Sequence, residues 1–330
     1  MAPKYTRPTP PIPSNWPSGT AYKEVKTDAQ TPIATELKWQ EFFTDERLQK
    51  VIAMALHNNR DFRIAALNVE RARAIYGIQR SELLPTLDAV GSGSRQRVAA
   101  DLSETGGSYI KERYSVDLGV LSWEIDLFGR IRSLKDKALE EYFAAEHVRR
   151  GTQLSLISAV AGTYLLLAAD QEGLKLAQST LAVQQDSYNL IQRRYEVGIT
   201  NELDLRRAQT QVDLARRDVA LYTQMIAQDE NALNLLVGSP VPKELLSHDM
   251  DSVTFFKDIS PGVSSDILLH RPDILAAEHQ LKAVNANIAA ARAAFFPRIS
   301  LTATAGTASN ELSGLFHSGG TAWNFSPQIV

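Results

Sequence analysis

His57, His147, His248, His270, His279 and His317 fall at intervals that match no metal-ligand spacing, and the chain contains no cysteine. A zinc or iron–sulfur site gathers several such ligands, so neither is expected, nor is any other cofactor. The glycine-rich phosphate loops, the G-x-S-x-G elbow and the H-E-x-x-H helix are absent as well. An enzyme is the weakest reading. Two other sets of charged groups stand out. Glu124 and Asp126 alternate with Trp123 and Ile125, as the polar positions of a strand would. Arginines come in four adjacent pairs, Arg149-Arg150, Arg193-Arg194, Arg206-Arg207 and Arg216-Arg217, which read first as solvated or salt-bridged helix faces.

The composition narrows the classes further. With 330 residues, 44% of them hydrophobic, 22% charged and a net charge of -3, the chain has ample apolar material to fold. It has no basic stripe of the kind that neutralises phosphates, so nucleic acid is not an expected partner. The longest apolar run, Ser158 to Ala169, is interrupted by Gly162 and Thr163 and falls short of the ~18–20 residues of a membrane helix. A β-barrel stays open, because its strands alternate and do not register as apolar runs. Met1 is followed by Pro3, Lys4 and Arg7 and by no apolar core, so a signal peptide is not read here and targeting information is expected to be absent or removed.

Helices dominate the middle of the chain. No proline falls between Pro85 and Pro240, and Gly129 to Gly198 is rich in Leu, Ala, Gln, Glu and Arg, which predicts one helix on the order of 100 Å long. Leu174, Ala177, Leu181, Gln184, Tyr188, Ile191 and Tyr195 form a heptad seam within it. Leu205, Ala208, Val212, Ala215, Val219, Tyr222, Ile226, Asp229, Leu233 and Leu236 continue the same spacing, beside a second stripe of Leu214, Leu221, Met225 and Leu235. Between the seams, Gly198 can take the left-handed C-cap conformation, and Thr200 or Asn201 can cap the next helix. A very long antiparallel hairpin follows.

Strands flank it. Ile299, Leu301, Ala303 and Ala305 alternate with Ser300, Thr302 and Thr304, and Trp323 and Phe325 alternate with Asn324 and Ser326. Earlier in the chain, Tyr114, Val116, Leu118 and Val120 hold one phase, and Trp123, Ile125 and Leu127 the opposite one, which places a β-bulge near Leu121. Leu87 to Arg97 is the weaker partner of this strand. Half of the 14 prolines lie in the first 32 residues, giving an extended arm that needs a surface to lie on. Shifted by 212 positions, Asp61, Ala65, Ala74, Arg80 and Pro85 fall on Asp273, Ala277, Ala286, Arg292 and Pro297. The chain is duplicated.

At these residues the sequence resembles the TolC-type outer-membrane channels of tripartite efflux pumps, most closely their OprM-like lipoprotein branch. The likeness is carried by Tyr5-Thr6-Arg7-Pro8 with Pro13 and Trp16, Trp39 to Asp45, Asn59-Arg60-Asp61, Ile78-Gln79-Arg80, Trp123 to Arg130 (WEIDLFGR), and Arg271 to Leu301 with its RPDI and ARAAFFPRISL. The resemblance implies an α+β membrane protein. Each subunit of a homotrimer would lend four strands to a twelve-stranded β-barrel and its helical hairpins to a periplasmic α-barrel. Its partners would be a periplasmic adaptor, an inner-membrane RND-type transporter and outer-membrane lipid. The implied organisation is an arm (1–38), first helices (39–84), a β-hairpin (85–128), the long helical hairpin with its tip near 198 (129–237), an equatorial linker (238–263), second first-helices (264–296) and a second β-hairpin (297–330). Family lipoproteins start at a lipidated cysteine, absent here, so the anchor is expected in the precursor. Members continue past a segment like Trp323–Val330 with another gate-bearing hairpin, so the second repeat is expected to be incomplete and a normal closed tunnel is not.

The resemblance gives the charged groups expected roles. Glu124, Asp126, Ser300, Thr302 and Thr304 would face the lumen, the alternative for the two carboxylates being an ordinary polar strand face. Tyr114, Trp123, Trp323 and Phe325 would form an interfacial aromatic belt, or else pack on barrel neighbours. Arg193, Arg194, Gly198, Thr200, Asn201, Arg206 and Arg207 would form the adaptor-docking tip, with helix-to-helix salt bridges the alternative for the arginines. Asp204 would belong to a polar latch. The function so implied is a passive exit duct, opened by movement of the helical hairpins. A periplasmic coiled-coil adaptor would share the long hairpins but lack the strand pairs.

Overall fold

The computed structural model describes residues 4–8, 37–103, 106–247, 250 and 265–330. Most of the arm and of the 238–263 linker therefore lie outside the described residues. In chain order come α1 (Trp39–Phe42), α2 (Glu46–Asn58), α3 (Arg60–Ser81), β1 (Asp88–Val98), β2 (Tyr109–Glu124), α4 (Arg130–Glu196), α5 (Glu202–Val237), α6 (Pro272–Ala293), β3 (Ile299–Ser309) and β4 (Thr321–Ile329). The duplication is visible in the bounds, since α3 and α6 both have 22 residues and coincide at the 212-residue shift. Each is followed by a strand pair.

The chain divides into two compact units, Met1–Thr9 with Asn68–Glu146 and Ala276–Val330, and Pro10–Leu67 with His147–Leu275. In the second, Leu48, Val51, Ile52 and Ala55 of α2 meet Leu156, Ile157, Val160, Tyr164 and Leu167 of α4 and Leu233 and Val237 of α5. Each large aliphatic group fully buried here is worth about 1.5–3 kcal/mol. The corner leading into α2 is fixed by polar groups. Asp45 Oδ1 accepts the Arg47 and Leu48 amides at 2.8 and 3.1 Å as an N-cap, while the Gln49 amide donates to the Gln40 and Phe43 carbonyls. Asn59 caps α3 by accepting from the Phe62 amide and donates to the Leu236 carbonyl at 2.8 Å. The Trp39–Asp45 and Asn59–Asp61 motifs are thus a helix corner and a tie to α5.

Helix α4 is unbroken for 67 residues, about 100 Å at 1.5 Å per residue. The reading that no helix is apolar enough to cross a membrane needs correction, because α4 meets that test by length and composition. A window average tolerates Gly162 and Thr163, which an uninterrupted run does not. Leu156, Ile157, Val160, Ala161, Tyr164, Leu167 and Ala168 in this stretch are buried in the core with α2 and α5.

The first unit holds one antiparallel sheet, ordered β1-β2-β3-β4. Its central pair joins the two repeats, with Val116 opposite Thr307, Leu118 opposite Ala305 and Val120 opposite Ala303, and the register shifts before Trp123 meets Leu301. This is the bulge foreseen near Leu121, and the Thr302 hydroxyl donates to the Leu121 carbonyl there at 2.7 Å. Strand β2 ends at Glu124, so Asp126 and Leu127 lie beyond it. Glycine permits the closest approach of the central strands. A Cβ on Gly306 would stand 2.0 Å from the Val116 carbonyl oxygen, and one on Gly119 2.2 Å from that of Ala303. Gly306→Val is expected to part β2 from β3 and cost more than the ~1–3 kcal/mol of ordinary overpacking, whereas Gly91→Ala, with nothing within 4 Å of the new methyl, changes stability by less than about 0.5 kcal/mol. Thermal unfolding of the two variants checks this.

Candidate functional site

Two regions carry the residues singled out by the sequence. The first is the sheet, whose pairing sorts side chains onto two faces because residues directly opposite each other point the same way. One face bears Tyr114, Val116, Leu118, Val120 and Trp123 of β2, Leu301, Ala303 and Ala305 of β3, and Trp323 and Phe325 of β4. The other bears Ser300 opposite Glu124 and Gln328, Thr302 opposite Ser326, and Thr304 opposite Asn324 and Gly119. The alternation read from the sequence therefore holds across the β2–β3 and β3–β4 pairings from Val116 to Trp123, with the bulge keeping Trp123 in phase with Val120.

The aromatic belt takes a different form from the one expected. Tyr114, Trp123, Trp323 and Phe325 share a face, and their partners are Ser309, Leu301, Ala305 and Ala303, four different levels spanning about 27 Å along the strand at 3.4 Å per residue. Tyr114 lies over Gly93, where an added Cβ would be 3.1 Å from its ring. Trp323 and Phe325 stand 77% and 61% exposed.

Glu124 and Asp126 have partners that the sequence reading missed. Glu124 accepts from Nε and Nη2 of Arg130 at 2.8 and 2.7 Å, and Asp126 accepts the Arg132 amide at 2.9 Å and its Nε at 3.2 Å. Each pair is six residues apart. Together they clamp the end of β2 to the first turn of α4, around Gly129 with its φ of +80°. The E-x-D-x-x-x-R-x-R spacing was the available signal. The stacking of Phe128 on Phe296, with ring centroids 4.8 Å apart, joins this clamp to the start of the second strand pair. The WEIDLFGR and FFPR motifs meet at one junction.

The amino-terminal motif also finds its surface. Tyr5 and Arg7 both bond Glu278 of α6, and Lys282 reaches the same carboxylate at 3.2 Å while lying over the Tyr5 ring. Arg7, aided by Lys282 and against the opposing pull of burial, holds the Glu278 carboxyl below its ordinary value. The arm's need for a surface is met there by residues 4–8. At the start of α6, RPDI acts as a helix start, with Pro272 in the first turn and Arg271 paired to Asp273 at 2.7 Å.

The second region is the turn between α4 and α5. Gly198, at φ +78°, donates to the Tyr195 carbonyl, and Ile199 to that of Arg194, at 2.9 and 2.8 Å. This is a Schellman closure. Asn201 then caps α5 by accepting the Asp204 amide at 3.0 Å, and the Thr200 hydroxyl donates to Asp204 Oδ2 at 2.8 Å. Asp204 is thus engaged locally. Arg206 pairs with Glu202 at 3.2 Å along its own helix, while Arg193, Arg194 and Arg207 are exposed and form no ion pair among the described residues.

Within the hairpin Ala177, Val212, Ala215, Asp229 and Leu233 of the seams are buried, Tyr195 at the turn is exposed, and of the outer stripe Leu214, Leu221 and Leu235 are exposed while Met225 is half-buried. A Cβ on Gly173 would meet the Tyr222 ring at 2.4 Å, so Tyr222 packs directly over this glycine. Asp170 and Asp229, 6% and 9% exposed, face each other across the hairpin. Burial pushes the Asp229 carboxyl up, and the hydrogen bond to Asp170 and that group's charge add to the rise. The native state therefore holds a proton that the unfolded chain has released, and stability falls as pH climbs from the ordinary carboxylate value toward the raised one. Asp229→Asn is expected to raise the melting temperature by about 2–4 °C at pH 7.5 and to leave it nearly unchanged at pH 4, read by circular dichroism.

The comparisons with known proteins agree with this geometry. A family model described as outer membrane efflux protein matches residues 51–239 and 263–330. The chain belongs to this family. It is 50% identical over 330 residues to the solvent efflux pump outer membrane protein SrpC of Pseudomonas putida, covering all of this chain and 70% of that protein. It is 40% identical to the outer membrane protein OprJ of Pseudomonas aeruginosa, again over all of this chain and 68% of the relative. Among solved structures, the open state of the Neisseria gonorrhoeae MtrE outer membrane channel superposes with a TM-score of 0.85 at 40% identity, covering 100% of this chain and 72% of that one. The chain is an outer-membrane efflux channel protein with a periplasmic helical part, and the adaptor alternative is set aside.

Proposed function

We propose that this chain is one protomer of a trimeric, passive exit duct, with the polar face of its sheet lining the lumen, the apolar face meeting outer-membrane lipid, and the Gly198 turn docking the periplasmic adaptor that links it to an RND-type transporter. The two-faced sheet is the observation that carries this reading. A sheet in lipid must leave no backbone donors or acceptors open to hydrocarbon. Within the chain β1 and β4 each pair on one edge only, so closure through further copies satisfies them. The exposed Leu214, Leu221 and Leu235 stripe supports further helix neighbours in the assembly.

At the turn, exposed Arg193, Arg194 and Arg207 offer a cationic surface that no ion pair among the described residues consumes. Movement of the hairpins would open the duct, and Asp204 would join a latch once its bond from Thr200 is exchanged. Glu124 and Asp126 would border the lumen while clamped to their arginines. None of these groups has the geometry to drive transport, so the energy comes from the transporter.

Gly198 provides the test. Its surroundings are open, with nothing within 4 Å of an added Cβ, so a substitution there acts through backbone conformation alone. Gly198→Val forces a β-branched residue to positive φ at about 1–3 kcal/mol, whereas Gly198→Asn tolerates it. In cells carrying the complete pump, the Val variant is expected to keep its trimer and lose efflux several-fold, with photocrosslinks from Arg194 and Asn201 to the adaptor reduced. The Asn variant should behave as the parent does. Normal efflux with no crosslink from either position would place the docking surface elsewhere, and a stable monomer in detergent would remove the trimer.

A further inference from the structure

The strand register also sorts the charges of the polar face along its length. Toward the loops that join the strands of each pair, Lys111 stands opposite Gln96 and Arg113 opposite Ser94, and both side chains are exposed. Toward the helices, the same face carries Asp117, opposite Val90 and Gly306, and Asp88, opposite Gly119. The remaining basic residues of this end lie on the other face. Arg95 is paired there with Glu112 at 2.9 Å, Tyr114 donates to the same carboxylate at 3.3 Å, and Arg97 donates to the Ser108 hydroxyl. Glu112 is thereby turned away from Lys111 and Arg113. Glu311 lines a shallow cavity with Lys111, yet no ion pair joins Lys111 or Arg113 to any carboxylate among the described residues.

Resting on the lumen reading above, we propose that Lys111 and Arg113 form a cationic collar near the outer mouth of the duct, which favours anionic solutes and sits above an acidic band of Asp88 and Asp117. Lys111 and Arg113 are two residues apart on one face, about 7 Å, within a Debye length, so their fields add. Arg113 and Asp117 are about 14 Å apart along the strand, beyond the ~8 Å screening length at physiological salt, so the bands act separately. Three copies along one low-dielectric wall would add to the local positive potential. Departing solutes would then meet acid first and base last.

The absence of cysteine makes a direct measurement clean. Gln96→Cys places one thiol per protomer across from Lys111 in the assembled trimer, to be reacted from outside with methanethiosulfonate reagents bearing either a sulfonate or a trimethylammonium group. Any effect of the collar on the thiol's own ionisation cancels in the ratio of the two rates. Relative to a free thiol, the anionic reagent is expected to be favoured. Lys111→Gln with Arg113→Gln should lower that preference on the order of tenfold, and 1 M salt should do the same in the unsubstituted collar. A ratio that neither the double variant nor salt alters overturns the collar while leaving the lumen reading intact. If a thiol at 96 is silent to both reagents while Arg95→Cys reacts, the two faces are reversed and the lumen reading falls with it.

Discussion

The pairing of β2 with β3 is the constraint on which the rest of the molecule depends. It is the only strand pairing of the described sheet that joins the two repeats, and it brings together residues about 190 apart in sequence, such as Val116 and Thr307. Its closeness is set by absent side chains, since neither Gly119 nor Gly306 has room for a Cβ. Its phase is set by the bulge, which returns Trp123 to the apolar face after Val120. Without that extra length, every side chain below the bulge would change sides, and both the continuous apolar face and the polar one would be lost.

The passage from strand to helix is governed by charge and by aromatic stacking. Glu124–Arg130 and Asp126–Arg132 tie the end of β2 to α4, and the Phe128–Phe296 stack makes both repeats share one junction. Bidentate arginine geometry has directional value here beyond its modest energy at a partly exposed site. The clamp orients the first turn of α4.

The helical hairpin balances packing against a buried polar pair. Most of its seam is apolar, and where Tyr222 packs over Gly173 its ring leaves no room for a methyl group. Asp170 and Asp229 interrupt that seam at a cost in stability near neutral pH. The turn, by contrast, is satisfied locally through the Schellman bonds, the Asn201 cap and the Thr200–Asp204 bond. Its conformation is specified within a few residues, and Arg193, Arg194 and Arg207 beside it are exposed.

Much of this was legible in the sequence because it is local. Heptad spacing fixed the seams of α4 and α5, the glycine and asparagine at 198 and 201 fixed the turn, alternation fixed the strand faces, and the change of phase fixed the bulge. Each of these signals arises from neighbours within a turn or two, where backbone geometry dictates which side chains share a face. The tertiary structure alone decided that Glu278 receives Tyr5 and Arg7, that Asp229 meets Asp170, that Asn59 ties α3 to α5, and that four aromatic residues of one face occupy four levels. Those partners lie from about 60 to about 270 residues apart, or on different strands whose relative heights depend on register. Residue type limits what such groups can bond, but only the folded chain brings a particular partner within reach.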